Sequence, residues 1–262
     1  SYVVAERFGM ARRPRGMSAA PPPAPRPFSR PSPFPRCAIF DLDGTLADTS
    51  ADLIGGANAA LESMGVAARL DPAADAGISG RGGRAMLRLG LAREGWEAER
   101  IEPAVEAVVP FFLAAYESRI AAESRLFPGV VAALDALEAA GWRLAICTNK
   151  PERLARLLLA ELGVLDRFGA LIGADSVEAP KPDPRPVQAA AERAGSALAV
   201  SVMVGDTVTD RSAARAAGIP CVLMDFGLSA DNLASLSPEA LIGDYAELPA
   251  LLETLRPAFE PS

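Results

Sequence analysis

The chain has 262 residues, of which half are apolar and 23% are charged, and its formal net charge is −7 with no histidine. This length fits one large domain, or a core with a smaller insert. The missing histidine excludes Ser-His-Asp and Cys-His nucleophiles, histidine-ligated zinc and histidine proton shuttles. Any chemistry must therefore use carboxylates, hydroxyls, lysine or a bound metal.

The charge is unevenly distributed. The first 36 residues hold seven arginines and one glutamate, so they carry +6 and the remainder carries −13. An acidic body argues against nucleic acid as the main partner, and no apolar run approaches the ~20 residues of a membrane helix. The three cysteines lie in or beside apolar runs without a Cys-x-x-Cys spacing. Buried free thiols in a reducing cytoplasm are therefore expected.

The first 35 residues are rich in proline and arginine and lack the apolar centre of a secretory signal peptide. We interpret residues 1–35 as a disordered or polyproline-like leader. The apolar run 37–40 then predicts a buried strand that ends at Asp41 and Asp43. Residues two apart in an extended segment point the same way, so both carboxylates should face one crevice. For this stretch alone, an ordinary strand-ending Asp-Gly turn is the alternative.

Apolar residues at helical spacing predict a helix near 53–64, a second helix after a glycine-rich loop at 77–84, and a third over 103–121. No strand pattern is present between about 50 and 123. The sequence therefore predicts a small all-helical insert at 53–123.

From Leu126 onward, strand and helix patterns alternate. Strands are expected at 142–147, 170–173, 200–204, 219–224 and 240–242, with helices between them that include 185–194, 211–217 and 246–255. This alternation predicts an α/β fold with a doubly wound, Rossmann-like parallel sheet. We assign residues 36–52 and 124–262 to that catalytic core.

The loops after successive strands of such a sheet collect along one edge. That edge should gather Asp41, Asp43, Thr148, Asn149, Lys181, Asp206 and Asp210. Carboxylates from two strands together with an ammonium can hold Mg²⁺ and a phosphate.

Each residue of this set beyond the first motif also has a plainer interpretation. Thr148 and Asn149 could cap a helix, Lys181 could lie in an exposed turn, and Asp210 could cap helix 211–217. The basic residues are nevertheless unusual, because only Lys150 and Lys181 are lysines and the other 24 are arginines. A compact ammonium could be needed at these two loop positions beside strand ends, although two lysines could also occur there by chance.

The order and spacing of these motifs resemble the haloacid dehalogenase superfamily of phosphotransferases over residues 37–226. The matching residues are Asp41-x-Asp43-Gly44-Thr45, Thr148-Asn149-Lys150, Lys181-Pro182 and Gly205-Asp206-x-x-x-Asp210. The helical insert resembles the subgroup with an all-helical cap. The segments 126–130 and 217–220 further resemble the phosphoglycolate phosphatase branch.

The resemblance implies a role for each matching residue. Asp41 would be the nucleophile that forms an aspartyl-phosphate, and Asp43 the general acid and base. Mg²⁺ would be bound by Asp41, the backbone carbonyl of Asp43, and Asp206, with support from Asp210. The residues expected to bind the phosphoryl group are Gly44, Thr45, Thr148, Asn149 and Lys181.

Within the superfamily, Asp43 argues against a dehalogenase, because the family pattern for that activity lacks the second aspartate. Without histidine the chain cannot be a sugar-phosphate mutase, and without lysine at 50–123 it cannot cleave phosphonates in the family's way. We therefore expect a phosphomonoesterase for a small phosphorylated substrate, in particular 2-phosphoglycolate. Arg81 or Arg84 would bind the substrate carboxylate, although a solvated helix start would also explain them.

Three alternatives stay open. The substrate could be another small compound, such as a sugar phosphate, a nucleotide or pyrophosphate. A phospho-accepting receiver domain uses similar residues, but its phosphorylated aspartate follows the third strand rather than the first. The third alternative is a catalytically dead binding protein. No nucleic acid or membrane partner is expected, and the sequence fits a monomer or a homodimer.

Overall fold

The computed structural model of the protein describes residues 32–226 and 232–255. Within these ranges the strands, in chain order, are β1 Cys37–Phe40, β2 Ala47–Asp48, β3 Arg125–Leu126, β4 Arg143–Cys147, β5 Ala170–Ile172, β6 Ser201–Gly205, β7 Cys221–Met224 and β8 Ala240–Ile242. The α-helices are α1 Ser50–Ser63, α2 Ala76–Ser79, α3 Gly83–Arg93, α4 Ala98–Glu117, α5 Val130–Ala139, α6 Glu152–Glu161, α7 Arg185–Arg193, α8 Val208–Ala217 and α9 Leu248–Thr254.

Six strands form one parallel sheet in the order β5-β4-β1-β6-β7-β8. The first strand lies in the interior of the sheet, where Phe40 pairs with Ile146 of β4 on one side and with Val204 of β6 on the other. Parallel neighbours need crossover connections, and α5, α6, α7 and α8 lie in the chain between successive strands of this sheet. The prediction of a doubly wound α/β fold is confirmed.

Both faces of the sheet are buried. Along β1, Ala38 and Phe40 belong to a core cluster that also contains apolar residues of α5, α6 and α9. Cys37 and Ile39 point the other way, into a cluster with α7 and α8. A strand buried on both faces has a continuous apolar sequence, and this explains why the run 37–40 shows no polar alternation.

The chain between β2 and β3 is helical and contains α1 to α4. The predicted helix at 103–121 is α4, which begins five residues earlier and ends four residues earlier than expected. Its first three residues, 98–100, are exposed, and the apolar spacing of α4 begins at Ile101, which is half-buried and packs against the core four residues before Val105. Helix α1 begins at Ser50, three residues before the predicted cap boundary. The domain boundaries at 52/53 and 123/124 stay a prediction.

The two ends of this helical segment are fastened together. Strands β2 and β3 pair in antiparallel orientation. Just beyond them lies Asp52, which is fully buried and accepts hydrogen bonds from the backbone N–H groups of Glu123 and Ser124 at 2.9 and 2.8 Å. Arg119 Nε donates to the same carboxylate at 3.1 Å. The β2–β3 pair and the contacts of Asp52 therefore hold the two ends of the helical segment side by side.

The predicted leader at 1–35 lies almost entirely outside the described residues. The described chain near its start is anchored by Arg36, which binds Glu253 of α9 at 2.7 Å and lies 4.4 Å from the centre of the Trp142 ring. Across residues 32–226 and 232–255, none of the helices combines the length and apolar character needed to cross a bilayer.

Candidate active site

The site lies at the carboxyl ends of three adjacent strands. Asp41 follows β1, Thr148 follows β4 and Asp206 follows β6, and the sheet order places β1 between the other two. The backbone N–H of Asp41 donates to the carbonyl of Val204 at 2.9 Å, so the sheet bonding continues as far as the first carboxylate. This is the edge at which open α/β sheets bind ligands.

Three carboxylates and one ammonium form the centre of the site. Oxygens of Asp41, Asp206 and Asp210 lie within 4.8 Å of one another. Lys181 Nζ is 2.6 Å from Asp210 Oδ1 and 3.1 Å from Asp41 Oδ1. Lys181 is only 3% exposed, so it does not lie in an exposed turn. Its loop is held by Asn149, whose Nδ2 donates to the Lys181 carbonyl at 2.9 Å.

Asp210 both caps a helix and supports the site. Helix α8 begins at Val208, three residues earlier than predicted, because Thr207 is its N-cap and forms a capping box with Asp210. Asp210 Oδ2 accepts from Thr207 Oγ1 at 2.6 Å and from the Asp206 N–H at 3.2 Å, while Oδ1 accepts from Lys181. Both Asp210 oxygens are thus occupied, which suits a supporting residue better than a primary metal ligand.

Gly44 and Thr45 hold Asp206 in place. Thr45 Oγ1 donates to Asp206 Oδ1 at 2.6 Å, and the Tyr245 hydroxyl donates to the Thr45 carbonyl at 2.9 Å. Gly44 has φ +82°, and a Cβ atom there would lie 2.3 Å from Asp206 Oδ2. The sequence predicted phosphate binding for these two residues, whereas the structure places the Thr45 side chain against an expected metal ligand.

The acidic centre carries more negative charge than Lys181 neutralises. Burial and the neighbouring Asp210 raise the pKa of Asp41 to about 7, although Lys181 opposes this rise. Burial, Asp210 and Asp41 also raise the pKa of Asp206 well above its ordinary value. Burial alone would lower the pKa of Lys181, but Asp210 and Asp41 outweigh it and raise that pKa. An added cation would relieve this crowding of carboxylates.

The donor set fits a hard divalent cation. Asp41 and Asp206 offer carboxylate oxygens, which are the ligands that Mg²⁺ prefers. Thr45 donates to Asp206 Oδ1. Among the described residues, no hydrogen-bond donor contacts the other oxygen, Oδ2. The acidic centre could therefore hold a Mg²⁺ ion with these oxygens.

Asp43 is bound separately from this centre. Its side chain is paired with Lys150, whose Nζ lies 2.8 Å from each carboxylate oxygen, and Thr49 Oγ1 donates to Oδ1 at 2.6 Å. Burial alone would lower the pKa of Lys150, but Asp43 and Tyr116 outweigh it and raise the pKa to about 12. Lys150 was not among the predicted site residues. The scarcity of lysine in this arginine-rich chain could have indicated it, because Lys150 and Lys181 are the only lysines.

A cavity of about 260 Å³ opens beside these residues. Of the predicted site residues, those that line it are Asp41, Asp43, Arg81, Arg84, Thr148, Asn149, Lys181 and Asp210. The predicted residues that do not line it are Gly44, Thr45 and Asp206. Helix α4 adds an apolar wall that includes Phe112 and Tyr116.

The two predicted cap arginines differ in their surroundings. Arg84 is exposed and forms a two-point ion pair with Glu106 of α4, at 2.6 and 2.9 Å. Arg81 is exposed at the cavity in the loop between α2 and α3. One turn after Arg84, Arg88 makes an equivalent pair with Glu102 but does not line the cavity.

Comparison with known proteins identifies the family. A family model described as haloacid dehalogenase-like hydrolase matches residues 35–218. Curated phosphoglycolate phosphatases from Agrobacterium fabrum and Caulobacter vibrioides are 39% and 40% identical to this chain. The first alignment covers 85% of this chain and 95% of the relative, and the second covers 82% and 90%.

The fold comparison agrees with the sequence comparison. The crystal structure of a predicted phosphoglycolate phosphatase from Haemophilus somnus superposes with a TM-score of 0.73 and 26% identity, covering 83% of this chain and 97% of that one. The predictions of the family and of a phosphatase enzyme are confirmed. The buried carboxylates at the sheet edge and the family match over residues 35–218 lead to one conclusion: the chain belongs to the haloacid dehalogenase-like hydrolase family.

Proposed function

We propose that the protein is a Mg²⁺-dependent phosphomonoesterase that hydrolyses 2-phosphoglycolate through an aspartyl-phosphate. The observation that carries the proposal is the buried contact of Asp41 with Lys181, next to Asp206 and Asp210 and open to the cavity. The name of the curated relatives, phosphoglycolate phosphatase, supports the choice of substrate.

In the first half-reaction, a carboxylate oxygen of Asp41 attacks the phosphorus atom, and the bond from phosphorus to the leaving oxygen breaks. Asp43 gives its proton to that oxygen, so the alcohol leaves in neutral form. The Lys181 ammonium and the Thr148 hydroxyl, both at the cavity, would neutralise the phosphoryl oxygens. Phosphoryl transfer depends mainly on this kind of positioning and charge stabilisation.

In the second half-reaction, a water molecule attacks the phosphorus of the aspartyl-phosphate. Asp43, now a carboxylate, takes a proton from that water, and the bond from phosphorus to Asp41 breaks. Inorganic phosphate leaves, and both aspartates return to their starting protonation states. The cycle needs no histidine, which agrees with the composition of the chain.

The residues that would hold Mg²⁺ are Asp41, Asp206 and the backbone carbonyl of Asp43, with Asp210 in support. When bound, the ion would neutralise charge on the transferring phosphoryl group. The crowded carboxylates at this position support the assignment, because the pKa values of Asp41 and Asp206 are raised in its absence.

This charge crowding predicts how the stability of the metal-free protein depends on pH. Because the pKa of Asp41 is raised from 3.8 to about 7 on folding, the native state binds more protons than the unfolded state in that range. The free energy of unfolding should therefore fall as the pH rises from about 4 to 7. Mg²⁺ should reverse this loss: at 100 times its Kd it adds about 2.7 kcal/mol, or roughly 5–10 °C in Tm.

Thermal unfolding at pH 5 and pH 8, with EDTA or with Mg²⁺, measures this effect. The gain in Tm on adding Mg²⁺ should be larger at pH 8, and Asp41→Asn should reduce the difference between the two pH values. A Tm that does not respond to Mg²⁺ at either pH would count against the metal assignment.

We further propose that the helical segment acts as a cap and that Arg81 or Arg84 binds the substrate carboxylate. Both arginines line the cavity that Asp41 also lines, and an arginine matches a carboxylate geometrically. For Arg84, the substrate carboxylate would replace or share the contact with Glu106. The cap would also exclude water from the reacting groups.

Substitution of these arginines should lower kcat/KM for 2-phosphoglycolate by about 10- to 100-fold, the value of one charged hydrogen bond. Ethyl phosphate lacks the carboxylate, so its kcat/KM should change little in Arg81→Ala or Arg84→Ala. Arg88→Ala is the matched control, because it loses an equivalent ion pair outside the cavity. If neither Arg81→Ala nor Arg84→Ala changes the preference for 2-phosphoglycolate, the carboxylate assignment is wrong.

A substrate panel tests the proposed function as a whole. Phosphate release would be measured with Mg²⁺ for 2-phosphoglycolate, sugar phosphates, nucleotides and pyrophosphate. The proposal requires the highest kcat/KM for 2-phosphoglycolate. A different preferred substrate would keep the chemistry but change the assignment, whereas no turnover of any phosphomonoester would favour a receiver-like or inactive binding protein.

A further inference from the structure

The Asp43 carboxylate is held from two sides. Lys150 Nζ lies 2.8 Å from both oxygens, and Thr49 Oγ1 donates to Oδ1 at 2.6 Å. We infer that Lys150 is a positioning residue that fixes the Asp43 side chain for proton transfer, and this rests on the proposed acid/base role of Asp43. Lys150 itself does not exchange a proton with the substrate in this scheme.

The surroundings of Lys150 suit a fixed contact rather than a mobile surface pair. Its side chain is only 4% exposed, whereas exposed ion pairs are weak and exchange readily with water. The ring of Tyr116, from α4, covers the ammonium at 4.5 Å from the ring centre. A cation over an aromatic face is attracted to the ring, so α4 stabilises Lys150 in the position that reaches Asp43.

The two lysines of the chain contact different carboxylates of the site. Lys181 is bound to Asp41 and Asp210, on the side where the phosphoryl group would be transferred. Lys150 is bound to Asp43, the group that would serve the leaving oxygen. The two ammonium groups therefore contact different carboxylates, and we expect neither to replace the other.

The fixed position matters because proton transfer requires hydrogen-bond reach. While Asp43 is protonated, Lys150 can contact only the oxygen that carries no proton. As the bond from phosphorus to the leaving oxygen breaks, the proton moves from the other Asp43 oxygen to that oxygen and leaves Asp43 as a carboxylate, the state in which both oxygens accept from Lys150. Lys150 then holds this carboxylate in place until it accepts a proton from the attacking water. A misplacement of about 1 Å can cost ~10²-fold in rate.

Leaving-group dependence separates this role from a purely structural one. The wild type and Lys150→Met would be compared by kcat/KM on 2-phosphoglycolate and on p-nitrophenyl phosphate, with saturating Mg²⁺. The alcohol needs a proton to leave, whereas p-nitrophenolate leaves as an anion. We expect kcat/KM to fall ~10²-fold for 2-phosphoglycolate and far less for p-nitrophenyl phosphate. The ratio of the two values does not depend on the fraction of folded enzyme.

Two further variants test whether Lys150 acts through Asp43. Adding Lys150→Met to Asp43→Asn should leave the ratio as it is in Asp43→Asn alone, because the positioned group is already lost. Lys181→Met should lower both values to a similar extent, since both substrates carry the same phosphoryl group.

The outcomes are distinct. If the wild type releases no phosphate from either substrate, the proposed function fails and the inference fails with it. If the wild type turns over and Lys150→Met lowers both values equally, only the positioning role is overturned. A further fall of the ratio when Lys150→Met is added to Asp43→Asn would also overturn it.

Discussion

Asp41→Asn is expected to lower kcat for every phosphomonoester substrate by at least ~10³-fold, because removal of a nucleophile closes the covalent route. The asparagine amide keeps the size of the side chain but cannot attack phosphorus as a carboxylate does. Rapid acid quenching with a ³²P-labelled substrate should trap a labelled phosphoprotein in the wild type. The same experiment should yield no labelled protein with Asp41→Asn.

This variant should fold normally, so a loss of activity can be attributed to the chemistry. Asp41 is one of three crowded carboxylates, and its pKa is raised to about 7 by burial and by Asp210. Removing its charge should leave the metal-free protein at least as stable as the wild type at pH 8. If Asp41→Asn keeps a tenth of the wild-type kcat, Asp41 is not the nucleophile.

Much of the fold could be predicted because its signals are local. The run 37–40 is apolar throughout, since β1 is buried on both faces of the sheet, and strand–helix alternation after Leu126 leaves few topologies. The positions of the site residues could also be predicted from the order of the strands. Asp41, Thr148 and Asp206 each follow a strand, and parallel strands present those ends at one edge.

The contacts within the site could not be predicted in the same way. The sequence shows that Asp43 and Lys150 each follow a strand, but their ion pair depends on the direction of two side chains. The same applies to Thr45, whose hydroxyl turns to Asp206, 161 positions away in the chain. Packing between segments that are distant in the chain decides the direction of a side chain, so a local sequence pattern cannot predict it.

The helical segment between β2 and β3 shows a second limit of prediction from the sequence. Helical spacing reveals the apolar face of α4 from Ile101 onward, but the three exposed residues before it, 98–100, carry no such pattern. Arg84 of α3 forms an ion pair with Glu106 of α4. The sequence of the glycine-rich loop alone could not show that this arginine is already paired and would have to release or share Glu106 to bind a substrate. The glycine-rich loop that the sequence indicates lies at the cavity.

Lys181→Met is expected to cause the largest loss of stability among these variants. Lys181 is 3% exposed and pairs with Asp210 at 2.6 Å and with Asp41 at 3.1 Å. Removing one partner of a buried ion pair costs about 3–5 kcal/mol, since the remaining charge is left uncompensated. The loss of a phosphoryl-binding cation should also lower kcat by about 10²- to 10³-fold.

The cause of that instability can be tested by removing a second charge. Asp210→Asn keeps an oxygen for the Thr207 capping contacts but removes the negative charge that Lys181 neutralises. Metal-free Lys181→Met/Asp210→Asn should therefore be more stable in urea than Lys181→Met alone, although neither should recover activity. If Lys181→Met unfolds at the wild-type urea midpoint, the ammonium is not needed to balance these carboxylates. A stable but inactive Lys181→Met would then restrict the role of Lys181 to the phosphoryl group.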